Sequence, residues 1–109
     1  MSNDIRETLN ARQKTHGTFA QHSDVAQRLK AVMQTAPNAG QLSNVQREAL
    51  EMIQHKIARM LCGDTMYLDN VRDILGYAQL MLDDMLLKEG ATDAQTRRIK
   101  QVDGEWVLA

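Results

Sequence analysis

At 109 residues, with 43% apolar and 25% charged residues and a formal charge of −1, the chain has the length of one domain and no bulk attraction for nucleic acid. One tryptophan, two tyrosines, one phenylalanine, one proline and six glycines are too few strand and turn formers for a sandwich or barrel, so an all-α fold is expected. No run approaches the roughly 18 to 20 apolar residues of a membrane span, the start Met1-Ser2-Asn3-Asp4 is unlike a signal peptide, and Cys62 is the single cysteine; a cytoplasmic protein without internal disulfide or cysteine-held zinc is predicted.

Four helices and a tail are expected. The first runs from about Asp4 to Lys14, with Ile5 and Leu9 at i, i+4, and stops before His16-Gly17. The second starts near Thr18; Phe19, Val25, Ala26, Leu29, Val32 and Met33 return to one face, and Pro37 follows its end. Pro37 to Asn44 reads as a loop. Ser43 with Gln46 three residues later matches a capping box, which starts a third helix that runs to about Leu61 and meets Gly63, a residue able to end a helix in the left-handed conformation. The fourth covers about Leu68 to Lys88 and closes at Glu89-Gly90. Beyond this bundle of residues 1–90, the tail 91–109 contains Ile99 to Val102, Asp103-Gly104 and Glu105 to Leu108, the pattern of a short hairpin around a two-residue turn. Such a hairpin needs Trp106 and Val107 to pack on the bundle or on another chain.

Successive residues of a helix advance by about 100°, which sorts the two long helices into faces. On the third, Ala49, Leu50, Ile53, Ile57, Met60 and Leu61 form an apolar stripe, and Glu48, Glu51, His55 and Arg59 a polar stripe roughly opposite, with Lys56 on the border. The fourth is apolar on two sides: Val71, Ile74, Leu75, Ala78, Leu82, Met85 and Leu86 on one, Leu80, Leu87 and the small Gly76 on the other. A helix apolar on two sides requires two partners, so completion of the core by a second copy is expected, as a homodimer or higher homo-oligomer. The charge is also uneven. Residues 64–90 carry two basic and six acidic side chains, whereas residues 1–36 carry five basic and three acidic. Asp69 offsets the helix dipole at the start of the fourth helix, but Asp73 lies beyond the first turn, where that explanation weakens.

Carboxylates clustered without cysteine suit a hard cation such as Mg²⁺ or Mn²⁺, which shares its oxygen ligands with substrate phosphates. Glu48 and Glu51 stand at i, i+3, and Asp69 and Asp73 at i, i+4 on the next helix. A tight antiparallel hairpin would hold the two pairs toward opposite ends, so their closure requires Glu51 with His55, a tilt, or another subunit.

The run Lys56-Ile57-Ala58-Arg59, then Gly63, then Asp69-Asn70-Val71-Arg72-Asp73-Ile74-Leu75-Gly76-Tyr77 resembles the helical pair of small phage and prophage proteins related to the MazG-like, all-α nucleoside triphosphate pyrophosphohydrolases. Arg12-Gln13-Lys14-Thr15-His16-Gly17 is similar to the Arg-x-Lys-x-Tyr-Gly element near the start of such proteins, with His16 at the tyrosine position; the resemblance spans roughly residues 6–87. It implies a Glu-x-x-Glu on one helix and a Glu-x-x-Asp on the next that hold Mg²⁺ for hydrolysis of a nucleoside triphosphate to the monophosphate and pyrophosphate. Glu48-Ala49-Leu50-Glu51 matches the first pair; in Asn70-Val71-Arg72-Asp73 an asparagine stands where the glutamate is expected, with Asp69 beside it. The resemblance thus assigns Glu48, Glu51 and Asp73 to catalysis, the same three with Asp69 and Asn70 to the metal, and Lys14, His16, Lys56 and Arg59 to the substrate, with His55 a further contact. The loss of one carboxylate is equally the mark of a degenerate, nucleotide-binding relative. A different class of function fits the same chain: a non-enzymatic helical protein of phage type that binds a host protein through its spare apolar face.

Overall fold

The computed structural model describes residues 2–90, 99–102 and 105–108, with side chains placed over residues 4–90. Four helices pack as a bundle: α1 (Ser2–His16), α2 (Phe19–Thr35), α3 (Asn44–Cys62) and α4 (Leu68–Glu89). A 3₁₀ turn at Ala39–Gln41 lies in the loop between α2 and α3, and two four-residue strands, β1 (Ile99–Val102) and β2 (Glu105–Leu108), pair antiparallel with Val102 opposite Glu105. Their side chains, and the expected contacts of Trp106 and Val107, lie outside the described residues.

The helix starts follow from capping chemistry. Ser43 Oγ accepts from the Gln46 N–H at 3.1 Å while Gln46 Oε1 accepts from the Ser43 N–H at 2.9 Å. Thr18 and Gln21 form the same reciprocal pair at 3.1 Å each, which starts α2 immediately after α1 ends. Each box satisfies two backbone groups that a helix terminus otherwise leaves free. At the far end, Gly90 adopts φ 61°, ψ 48°, and its N–H bonds back to Leu86 and Leu87; this is the left-handed stop that glycine permits.

Gly63 ends α3 differently from the expected left-handed cap. Its φ of −130° is open to any residue; what demands glycine is space, because a Cβ there would lie 2.5 Å from His16 Cα and also against the Thr15 carbonyl. The end of α3 runs directly over the end of α1. Gly17 answers from the other side: its φ is +78°, and a Cβ on it would stand 2.8 Å from Cys62 Cβ. The Asp64 N–H donates to the Thr15 carbonyl at 2.7 Å, so the two chain segments are also hydrogen-bonded at the crossing.

α3 is the central helix. α2 packs on one side of it and α4 on the other, which explains why its polar stripe is not simply solvated: Glu51, His55 and Arg59 are half-buried. Gln54 reaches across to α2, donating to the Leu29 carbonyl at 3.2 Å, and His55 meets His22 edge to face at 5.7 Å. Close approach is made at small residues. Among the described residues the buried apolar side chains are all alanines: Ala26, Ala39, Ala49 and Ala58. The larger apolar groups are shared between half-buried seams and the surface. On α4, Ile74, Tyr77, Ala78, Met81, Leu82 and Leu86 are half-buried, but Val71, Leu75 and Met85, expected in the core, are exposed together with Leu68, Leu80 and Leu87. Among the described residues, the other three helices leave one side of α4 uncovered.

The glycine crossing yields a direct test. Gly17→Ala introduces both a disfavoured backbone angle and a backbone overlap, and should cost at least about 2 kcal/mol, a fall in Tm of roughly 8 °C or more. Gly40→Ala, with nothing within 4 Å of the added Cβ, should leave Tm within about 2 °C; equal losses in the two variants would contradict the crossing.

Candidate functional site

The glycine contact fixes more than the fold, because it sets the last turn of α1 against the last turn of α3. Thr8, Arg12, Thr15 and His16 recur at i, i+4, i+7 and i+8, one face of α1. Arg59 comes from α3, and Tyr67 from the segment that starts α4. Together with Ala11 these residues line a pocket of about 500 Å³. Its charged groups are all cationic or titrate to cations: Arg12, His16 and Arg59, with no carboxylate in the wall.

The polar atoms in this wall are unevenly satisfied. The hydroxyls of Thr8 and Thr15 donate to the carbonyls of Asp4 and Ala11 within α1 and retain only acceptor capacity. Arg59 Nε and His16 Nδ1 are buried and have no hydrogen-bond partner. Neither Arg12 nor Arg59 belongs to an ion pair among the described residues, where the pairs are Asp24–Arg28, Lys56–Asp73, Asp69–Arg72 and Asp84–Lys88. Two guanidinium groups outside any ion pair and an imidazole around a cavity are groups whose chemistry suits an anion.

Three histidines extend inward from the pocket. His22 is buried, packed edge to face between Phe19 at 5.3 Å and His55 at 5.7 Å, and His16 meets the Tyr67 ring at 5.4 Å. All three have pKa values below the ordinary imidazole range. Burial is the larger cause in each case, and the positive charge of Arg59 is the next. They are therefore held neutral at pH 7.

Of the residues drawn from the sequence, His16 and Arg59 meet in this pocket. Lys56 lies on the adjoining part of α3, close enough to lower the pKa of both His16 and His55, and its largely buried ammonium pairs with Asp73 at 2.9 Å. Lys14 is exposed and outside the pocket wall. Asp69 is exposed and pairs with Arg72 at 3.0 Å. Asn70 is 1% exposed, the largest fully buried side chain, with Nδ2 unpartnered.

The Lys56–Asp73 pair marks the register of α3 on α4. Glu51 and Glu48 then lie about 7.5 and 12 Å back along α3 from Lys56 at 1.5 Å per residue. Glu48 accordingly lines a separate apolar groove of about 340 Å³ with Asn44, Val45, Ala49, Tyr77, Leu80 and Met81. Among the described residues no three histidine, cysteine or acidic side chains converge to hold a metal ion. No helix of the described residues is long and apolar enough to cross a membrane.

Arg12 and Tyr67 were absent from the residues assigned to the substrate. The spacing of Arg12 four residues before His16 places both on one helical face, a signal present in the sequence. Tyr67 carried none, because its position depends on the turn after α3. In comparisons with models of known families, with curated proteins and with solved structures, nothing matches the chain.

The histidine cluster makes stability depend on pH. Because the folded pKa values lie below the unfolded value of 6.5, the neutral cluster contributes its full stability above pH 6.5, and this is lost as pH falls toward the folded values. Tm should decline between about pH 7 and pH 5, and His55→Gln should flatten the decline; a Tm unaffected by this range would contradict the buried neutral cluster.

Proposed function

We propose that the chain is a nucleotide-binding relative of the MazG-like proteins that holds phosphate without turning it over, and that the pocket between α1 and α3 is where the ligand sits. The observation that carries this reading is the pair of Arg12 and Arg59 with His16 around a cavity free of carboxylates. Guanidinium groups match phosphate oxygens in bidentate geometry, and a partly buried Arg59 with an unsatisfied Nε gains a partner when an anion arrives. Tyr67, edge-on to His16 at the rim, offers a ring for a nucleobase. The similarity of Lys56-Ile57-Ala58-Arg59 and Asp73-Ile74-Leu75-Gly76-Tyr77 to the MazG-like helical pair supports the nucleoside part of the assignment. Asn70 in place of the expected glutamate, the Lys56 ammonium on Asp73 and the distance of Glu48 along α3 support binding over hydrolysis.

A panel of nucleoside mono-, di- and triphosphates tests it by thermal shift and calorimetry. Triphosphates should raise Tm in a concentration-dependent manner, Arg59→Ala should weaken binding at least tenfold, and Tyr67→Ala should weaken nucleotide more than inorganic phosphate. Release of pyrophosphate lost in Asp73→Ala and Glu51→Ala would instead establish the hydrolase. No shift with any nucleotide would remove the reading.

The same proposal includes a second copy of the chain. Leu68, Val71, Leu75, Ala78, Leu82 and Met85 follow one another at spacings of three and four, the seam of a two-helix coiled coil, and Leu68, Val71, Leu75 and Met85 are 37–57% exposed in the single chain. A homodimer joined along α4 covers that stripe. Sedimentation should give twice the chain mass, and Leu75→Glu should give a folded single chain; a monomeric parent protein at micromolar concentration would exclude the dimer.

A further inference from the structure

The pocket has a property that a nucleotide site built around Mg²⁺ lacks, and the inference rests on the nucleotide-binding reading of the same cavity. In a metal-dependent site, carboxylates hold the cation and the cation holds the phosphate. Here the wall itself is cationic; over residues 64–73 the acidic groups are engaged, Asp73 with Lys56, Asp69 with Arg72, and Asp64 Oδ1 with the Met66 N–H at 2.9 Å, while Asp4 lines an adjoining groove that shares Thr8 and Arg12 but is not in this wall. A phosphate entering with its own Mg²⁺ would bring that cation against Arg12 and Arg59 with no carboxylate in the wall to receive it. We infer that the pocket binds the phosphate as a bare anion, in competition with Mg²⁺, and that binding takes up a proton at His16.

The second part follows from what surrounds His16. Arg12 faces it from its own helix, His22 from α2, Lys56 and Arg59 from α3, and the Tyr67 ring from the start of α4. Every charged neighbour among these disfavours an imidazolium, and His22 does so whenever it is protonated. An anion held by Arg12 and Arg59 reverses the local sign. His16, in the pocket wall, then gains a proton and becomes a third charged donor to the ligand. Because His16 ends α1, protonation there also offsets the negative pole of that helix. His22 and His55 lie outside the pocket wall.

Calorimetry on the full chain at constant ionic strength tests both parts. Adenosine triphosphate is titrated in chelator and again in excess Mg²⁺, and sulfate, which does not titrate near neutrality, is titrated between about pH 8 and pH 6 in two buffers of different ionisation enthalpy. The expected results are tighter nucleotide binding in chelator than in Mg²⁺, sulfate affinity rising by up to about tenfold per pH unit on acidification, and a buffer-dependent heat that reports proton uptake. His16→Gln should bind sulfate more weakly than the unaltered protein at pH 6 and should lose the pH dependence; the buffer comparison on the unaltered protein reads the same proton if that variant fails to fold. Nucleotide binding strengthened by Mg²⁺ overturns the bare-anion claim alone. Sulfate affinity independent of pH, or a dependence kept in His16→Gln, overturns the proton uptake. Absence of binding under every condition overturns this inference and the nucleotide-binding reading together.

Discussion

The contact between Gly17 and Gly63 governs the rest of the molecule. It brings two helix ends to a backbone separation that no side chain allows, and the Asp64 N–H seals the crossing on the Thr15 carbonyl. Three consequences follow from one contact. α1, whose apolar residues Ile5 and Leu9 are exposed, is anchored to the bundle by its C-terminal end. The last turns of α1 and α3 face each other, so Arg12 and Arg59 share a cavity despite 46 intervening residues. The chain is also directed into the turn that delivers Tyr67 to the rim of that cavity and begins α4.

The bundle around this crossing is held by close helix packing at alanines more than by a large apolar core. Ala26, Ala49 and Ala58 let α2 and α3 approach their neighbours closely, and the polar groups of α3 are sheltered because helices lie on both its sides. Shelter without a matching set of acids produces the histidine chemistry. A half-buried Arg59 raises the cost of protonating His16, His22 and His55, and the neutral state of these rings is part of the folded protein's stability. The apolar stripe of α4 is the counterpart of this economy in core size: Leu68, Val71, Leu75 and Met85 stay exposed at spacings of three and four, and the proposed homodimer rests on that stripe.

Much of the helical frame was legible in the sequence, for local physical reasons. Ser43 with Gln46 marked the start of α3, Pro37 and Gly40 the loop before it, and Gly90 the end of α4; each acts within a few residues of its own position. The role of Gly63 was not legible. Its glycine reads as a left-handed cap until the end of α1 is known to pass over it, and that contact joins residues far apart in the chain. The site divides along the same line. His16 and Arg59 were drawn from motifs, Arg12 was recoverable from its helical spacing to His16, and Tyr67 depended on a turn whose direction tertiary contact decides. The Lys56–Asp73 pair was not legible, because a position on the border of a helix face gives no indication that the ammonium reaches across to α4. Asn70 shows the same gap from the other side, since a polar residue on an amphipathic helix is buried only when the neighbouring helix covers it.

The central claim is that one crossing of two helix ends builds an anion site. It is tested most directly by titrating the isotopically labelled protein with a nucleoside triphosphate in chelator and following backbone amides and arginine Nε–H signals by NMR. The account predicts that the largest shifts fall on Arg12, Thr15 to Gly17, Arg59 and Cys62 to Asp64, with the Arg59 Nε–H moving as it gains a partner. Shifts concentrated instead at Val45, Glu48 and Leu80, or none at all at saturating nucleotide, would contradict it.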